Sequence, residues 1–229
     1  EKITDFNLPN GRKWDLVCVP NPPDHWMPAP GAINAKRIAA TGWIFRPMPS
    51  HMLPQLRMVR GQASLLVASG GGGNTETAAW FKREVDALLS RVRQMCAAKF
   101  RVVQAVGPRL GADALLSNAD QYLDVGPRLN EEFARHDVVI STVGYNSVLE
   151  LAQTDVPVLL MPITRSLDDQ AARARGWEPV LGHAHDVTNA DASALWLAQQ
   201  LGTLQRRMPC MLDERGAESC ARLILETLA

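Results

Sequence analysis

From residue 63 onward, short runs that are apolar throughout alternate with longer stretches whose apolar residues recur at helical spacing. Ala63 to Ser69 is a continuous apolar run of strand length. Glu76 to Ala97 carries Ala79, Trp80, Val85, Leu88, Leu89, Val92 and Met95 on the period of one helix face. The same reading predicts strands at 100–106, 122–125, 137–142, 156–161 and 178–181. It predicts helices at 129–134, 146–152, 168–175, 190–206 and 213–228. Strands buried on both faces read as unbroken apolar runs, whereas half-exposed strands alternate. Strands of the first kind, each followed by a helix, predict an α/β fold: a Rossmann-like parallel sheet with helices on both faces.

Residues 1–60 have a different character. Trp14 to Pro20 reads as a short strand, and Arg37 to Phe45 as another. Between them stand Pro20, Pro22, Pro23, Pro28 and Pro30. Proline lacks the backbone N–H that a helix interior or a central strand needs, so this stretch reads as a linker or covering loop. A domain boundary is expected near residue 60.

Composition narrows the function classes. The chain has 229 residues, enough for one large domain or one domain with part of another. Lys plus Arg number 24 and Asp plus Glu number 24, so the formal charge is zero. Binding to nucleic acid through bulk charge would need a basic excess, so no nucleic-acid partner is expected. No apolar run approaches the roughly 20 residues of a membrane-spanning helix. Cys18, Cys96, Cys210 and Cys220 are widely spaced, without a Cys-x-x-Cys pair. Free thiols are expected rather than a disulfide framework or a structural zinc site, and with them a cytoplasmic location. The chain begins at Glu1 with neither an initiator Met nor a signal segment. It is expected to be a piece of a longer protein, or one from which something has been removed.

In open parallel sheets, ligands bind beyond the carboxyl ends of the strands. The residues just after each strand are therefore the candidates. After 63–69 come Gly70, Gly71, Gly72, Gly73 and Asn74. Glycines let backbone N–H groups approach a phosphate closely. The run does not complete the dinucleotide fingerprint, because Thr75 holds the third glycine position. No Gly-Lys-Ser/Thr comes after it, so it is not a triphosphatase loop. Its plainer reading is a flexible loop tip.

After 137–142 comes Gly144-x-Asn146-Ser147-x-x-Glu150. Helix-start N–H groups and a hydroxyl suit phosphate. Glu150, one turn beyond Ser147, suits the vicinal hydroxyls of a ribose. The plainer reading is helix capping by Asn146 or Ser147. After 156–161 come Arg165, Asp168, Asp169 and Gln170. A side-chain amide at 170 can read sugar hydroxyls through both its donor and its acceptor. Here the plainer reading is an N-cap at Asp168. His183-x-His185 lacks a third metal ligand of clear spacing, and no Asp-x-Asp occurs to anchor a divalent ion, so no metal and no cofactor is expected.

Taken in order, these pieces resemble the C-terminal, donor-binding half of GT-B glycosyltransferases. The likeness runs from the strand, glycine-rich loop and helix through LDVGPRLNEEFARHDVVISTVGYNSVLELAQTDVPVLLMP to DDQAARA, over about residues 36–182. The family is that of the peptidoglycan lipid-intermediate N-acetylglucosaminyltransferase, glycosyltransferase family 28. The resemblance implies inverting, metal-independent transfer of a sugar from a nucleoside-diphosphate sugar, with UDP as the nucleotide and the acceptor open. It implies that Gly70 to Asn74 approach the diphosphate or the interdomain cleft, and that Val125 and Gly126 meet the nucleobase. Gly144, Asn146 and Ser147 would lie along the phosphates, and Glu150 would hold the ribose. Asp169 and Gln170 would touch the donor sugar, and Arg165 would help to stabilise the leaving diphosphate.

Some positions depart from the pattern. Thr142 stands where that family has arginine, Arg165 where many members have histidine, and Arg173 where asparagine is usual. Residues 1–60 would be the end of an N-terminal domain with its linker, and 61–229 the donor-binding domain. The general base, and any peripheral membrane contact, would belong to the preceding domain. A nucleotide-sugar hydrolase or 2-epimerase on the same fold stays open as an alternative, as does a non-catalytic donor-binding subunit.

Overall fold

A computed structural model of the protein describes residues 7–49, 62–69, 75–107, 110–165 and 168–229. The expected boundary near residue 60 lies outside the described residues. In chain order the strands are β1 (Trp14–Val19), β2 (Ala35–Ala40), β3 (Ala63–Ala68), β4 (Phe100–Val106), β5 (Gln121–Asp124), β6 (Val138–Thr142), β7 (Val158–Met161) and β8 (Gly182–Ala184). The helices are α1 (Thr75–Met95), α2 (Leu129–Arg135), α3 (Tyr145–Ala152), α4 (Gln170–Leu181), α5 (Ala190–Thr203) and α6 (Gly216–Leu228). None of them, among the described residues, is long and apolar enough to cross a membrane.

The chain divides into two compact units. One comprises the described residues of Glu1–Pro47, Ser166–Asp168 and Met211–Ala229. Its sheet is a parallel pair, β1 against β2, with Cys18 opposite Ala39. Strand β2 ends at Ala40, short of the expected Phe45. Just beyond it the Thr41 N–H donates to the Val19 carbonyl at 2.9 Å. Helix α6 begins at Gly216, where a side chain would overlap the Trp43 carbonyl.

The other unit, Met48–Arg165 with Asp169–Cys210, holds a six-stranded sheet in the order β5-β4-β3-β6-β7-β8, every pairing parallel. The chain builds outward from β3 to β5, then returns to the opposite side of β3 with β6. This is the doubly wound order, and β3/β6 is its switch point.

Successive side chains of each strand serve opposite layers. Leu65 and Val67 join Val102, Val138, Ile140, Leu159 and Met161 in one core with α1 and α5. Helix α1 contributes Phe81, Val85, Leu88, Leu89 and Val92, and α5 contributes Ala194, Leu197 and Leu201. Leu66, Val103, Val139 and Leu160 alternate with that set and are equally buried, on the face covered by α2, α3 and α4. The fold is therefore the Rossmann-like α/β sheet with helices on both faces.

One expected strand is of a different type in the structure. Residues 178–181 are not a strand but the end of α4, and the last strand is β8 at 182–184. The buried residues Gln170, Ala174, Trp177 and Leu181 recur on the helical period. Pro179 hides this in the sequence, because proline inside a helix is normally read as its end.

Candidate functional site

The carboxyl ends of β3 and β6 are adjacent, since Ala68 pairs with Ser141. The glycine run comes directly after β3; Gly70, Gly71, Gly72, Gly73 and Asn74 lie outside the described residues. Strand β6 leads through a tight turn into α3. Gly144 holds the N-cap position with extended backbone, and Val148 N–H donates to its carbonyl at 3.1 Å. Asn146 and Ser147 therefore fall inside the first turn, not at the cap. Asn146 is exposed, while Ser147 and Glu150 are half-buried. Their three-residue separation sets Ser147 and Glu150 on one side of α3.

At the end of β5 the chain makes a different turn. Val125 is buried and Gly126 exposed. Gly126 has φ +49°, a left-handed conformation that costs a glycine little. Its N–H donates to Asp124 Oδ1 at 3.1 Å, and Arg128 N–H closes the turn onto the Val125 carbonyl at 3.0 Å.

Beyond β7, Arg165 is exposed. Helix α4 is capped by Asp169, whose Oδ1 accepts from Ala172 N–H at 2.8 Å. The side-chain cap of α4 is thus Asp169 rather than Asp168.

Gln170 is 2% exposed. Its Oε1 accepts from Val143 N–H at 3.1 Å and from Ile163 N–H at 3.2 Å. One side-chain carbonyl thus ties the start of α4 to the turn after β6 and the segment after β7. The sequence reading places a sugar-facing amide here; in the structure the amide oxygen is committed to these two backbone donors.

Arg173, one turn on, donates from Nη1 to the Val143 carbonyl at 2.8 Å. None of these three backbone bonds is evident from motif reading. The available signal is the i, i+3 spacing of two long polar side chains on one helix face.

The structure thus brings Gly144, Asn146, Ser147, Asp169 and Gln170 to the carboxyl ends of β6 and β7, with Glu150 one turn into α3. Val125 and Gly126 stand at the end of β5, on the far side of β4 and β3 from β6. Among the described residues, no group of three or more His, Cys, Asp or Glu side chains is arranged to hold a metal ion.

No protein-family model matches the chain. It is 25% identical over 153 residues to a UDP-N-acetylglucosamine--N-acetylmuramyl-(pentapeptide) pyrophosphoryl-undecaprenol N-acetylglucosamine transferase of Oceanobacillus iheyensis, covering 66% of this chain and 40% of that protein. It is 27% identical over 157 residues to the Rhizobium etli transferase of the same name, covering 65% and 41%. The chain therefore spans about two-fifths of the length of these curated relatives. Among solved structures, MurG of Acinetobacter baumannii superposes with a TM-score of 0.54 at 15% identity, covering 92% of this chain and 60% of that one. In sequence over two-thirds of its length, and in fold over most of it, the chain is similar to part of the N-acetylglucosamine transferases of the GT-B class.

Proposed function

We propose that this chain is the donor-binding part of an inverting, metal-independent glycosyltransferase that takes a sugar from a nucleoside-diphosphate sugar, with UDP as the nucleotide. One observation carries the reading: the β6–α3 turn stands at the switch point, with Gly144 at the N-cap and Ser147 and Glu150 on one side of the helix behind it.

In the reaction an acceptor oxygen forms a bond to the anomeric carbon. The bond from that carbon to the diphosphate breaks, and the diphosphate leaves with the electron pair. Its developing charge would meet the positive end of α3 and the Gly144, Asn146 and Ser147 backbone, which are already oriented before reaction. Glu150 would accept from the ribose hydroxyls. Val125 and Gly126 would face the nucleobase, and Arg165 and Asp169 would lie toward the diphosphate and sugar. The glycine segment 70–74 would approach the diphosphate or the interdomain cleft.

Residues 61–229 would form this donor domain, and residues 1–60 the end of a preceding domain with its linker. The acceptor, the base that takes its proton, and any peripheral membrane contact would belong to that preceding domain. The cytoplasm is the expected location.

Calorimetric titration of the 229-residue chain with UDP, dTDP, GDP and NAD, first without metal and then with Mg²⁺, tests the reading. Metal-independent binding of a nucleoside diphosphate, lost in Glu150→Ala, is the expected result. Binding of none, of NAD alone, or only with Mg²⁺ would overturn it.

A further inference from the structure

We infer that Arg173 is a positioning residue for the leaving diphosphate, acting through the peptide that joins Val143 to Gly144. The inference rests on the donor-binding reading above. Val143 is fully buried between the last residue of β6 and the N-cap of α3. Its two peptide groups are held separately by one face of α4. Gln170 Oε1 takes its N–H at 3.1 Å, and Arg173 Nη1 donates to its carbonyl at 2.8 Å.

A trans peptide is planar, and its C=O and N–H point in opposite directions. The carbonyl of Val143 and the N–H of Gly144 belong to the same plane. Drawing the carbonyl toward Arg173 therefore turns the Gly144 N–H away from α4. That N–H belongs to the residue that opens α3, where the diphosphate is proposed to lie. The bond is charge-assisted, so it fixes the plane more firmly than a neutral donor would. It also polarises the peptide, which strengthens the N–H as a donor. Thus a residue that need not touch the ligand sets the direction of an amide that would.

The test compares the 229-residue chain with Arg173→Met and Arg173→Lys. It measures affinity for UDP and for uridine, and amide exchange at Val143 and Gly144 without ligand. Loss of the clamp should weaken UDP about tenfold in Arg173→Met, the scale of one charge-assisted hydrogen bond. Uridine affinity should stay within about twofold, because the nucleoside makes no use of that amide. Exchange at Val143, whose N–H is held by Gln170 Oε1, should quicken by about tenfold with no ligand present, and Arg173→Lys, which keeps a donor, should recover part of both effects.

Equal loss of UDP and uridine would mean a general structural role and overturn the inference. Weaker UDP binding with unchanged exchange would mean a remote charge effect and also overturn it. If the unaltered chain binds UDP and Arg173→Met binds it equally well, only the positioning role falls. If the unaltered chain binds no nucleoside diphosphate, the donor reading falls and takes the role with it.

Discussion

Asp137 and Ser64 are joined by three hydrogen bonds at the start of the two central strands. Ser64 N–H and Oγ–H both donate to Asp137 Oδ2, at 2.8 and 2.9 Å, and Asp137 N–H donates to the Ser64 carbonyl at 2.9 Å. The pair stands immediately before the ladder in which Leu65 lies opposite Val138. It therefore sets the register of β3 against β6. A slip of one residue would send every side chain of a strand to the opposite layer and misalign the strand ends that carry the candidate site.

Removing this carboxylate should be costly. Asp137 Oδ1 also accepts from Arg206 Nη2 at 3.0 Å, so Asp137→Ala leaves both the Ser64 donors and one guanidinium donor short of a partner. A loss of about 2–4 kcal/mol is expected from these unmade bonds. Asp137→Asn keeps a side-chain oxygen for Ser64 and should lose less. Urea denaturation of the two variants checks the order; equal stability of Asp137→Ala and the unaltered chain would contradict it.

Gly182 makes the junction between α4 and β8 at φ +151°. Its N–H donates to the Glu178 carbonyl, closing the helix. A Cβ there would stand 2.5 Å from the Val158 carbonyl oxygen and 2.8 Å from Trp196 Cζ2. Val158 pairs with Gly182 in the sheet, so its backbone cannot retreat without breaking the ladder. Gly182→Ala should cost about 3 kcal/mol through overlap and backbone strain together. Thermal unfolding should show a fall of about 6–12 °C for a chain of this size.

Arg207 closes the C-terminal end of α3, opposite the end that carries Gly144. Its guanidinium donates to the Leu151 carbonyl, to the Val156 carbonyl at 2.8 Å and to the Met208 carbonyl at 3.1 Å. Burial draws its pKa down to about 10, so it remains charged at neutral pH. A cation at this end also complements the helix dipole. Arg207→Met should destabilise the chain by about 3 kcal/mol, because buried carbonyls lose their donors. Arg207→Lys should recover less than half, since an ammonium lacks the fork that reaches several carbonyls together. Full recovery by lysine in a urea titration would show that charge alone matters.

The strands of the sheet are legible in the sequence because a parallel strand is buried on both faces, and an unbroken run such as Val138 to Ile140 has few other uses. The glycine and small polar residues after β6 are legible for the same reason, since the strand marks the place where a ligand loop must begin. Gln170 and Arg173 show where the sequence falls silent. Their helix is placed correctly near its start, but which backbone groups they meet depends on Val143 and Ile163, residues brought close only by the sheet. The end of α4 is obscured by Pro179, whose usual meaning is overruled by the packing of Trp177 and Leu181 on the same stripe.

His185 gives the fold a pH dependence whose sign is set by burial. It lies just beyond β8, with a side chain only 1% exposed. Its Nδ1 is 2.9 Å from Ser193 Oγ on α5, and its Nε2 is buried with no hydrogen-bond partner among the described residues, 3.9 Å from Glu84 Oε2 on α1. Burial holds its pKa below the ordinary histidine value of 6.5; the carboxylates of Glu84 and Asp186 oppose that shift, and the charges of His183 and Arg91 add to it. The unfolded chain therefore takes up this proton at a higher pH than the folded one. Stability from neutral His185 is complete above pH 6.5 and is lost as the pH falls below it. Asp86, Asp186 and Asp213, whose pKa values are lowered from 3.8, act only at more acidic pH. The chain's four other histidines are common to the unaltered protein and a His185 variant, so across the window from about pH 7 to 5 the difference between the two reports His185. Urea midpoints measured across it should fall with pH, and the fall should be shallower in His185→Gln, which keeps a polar group for Ser193 but does not titrate. Superimposable slopes for the two proteins would show that His185 is protonated equally in the folded and unfolded chains.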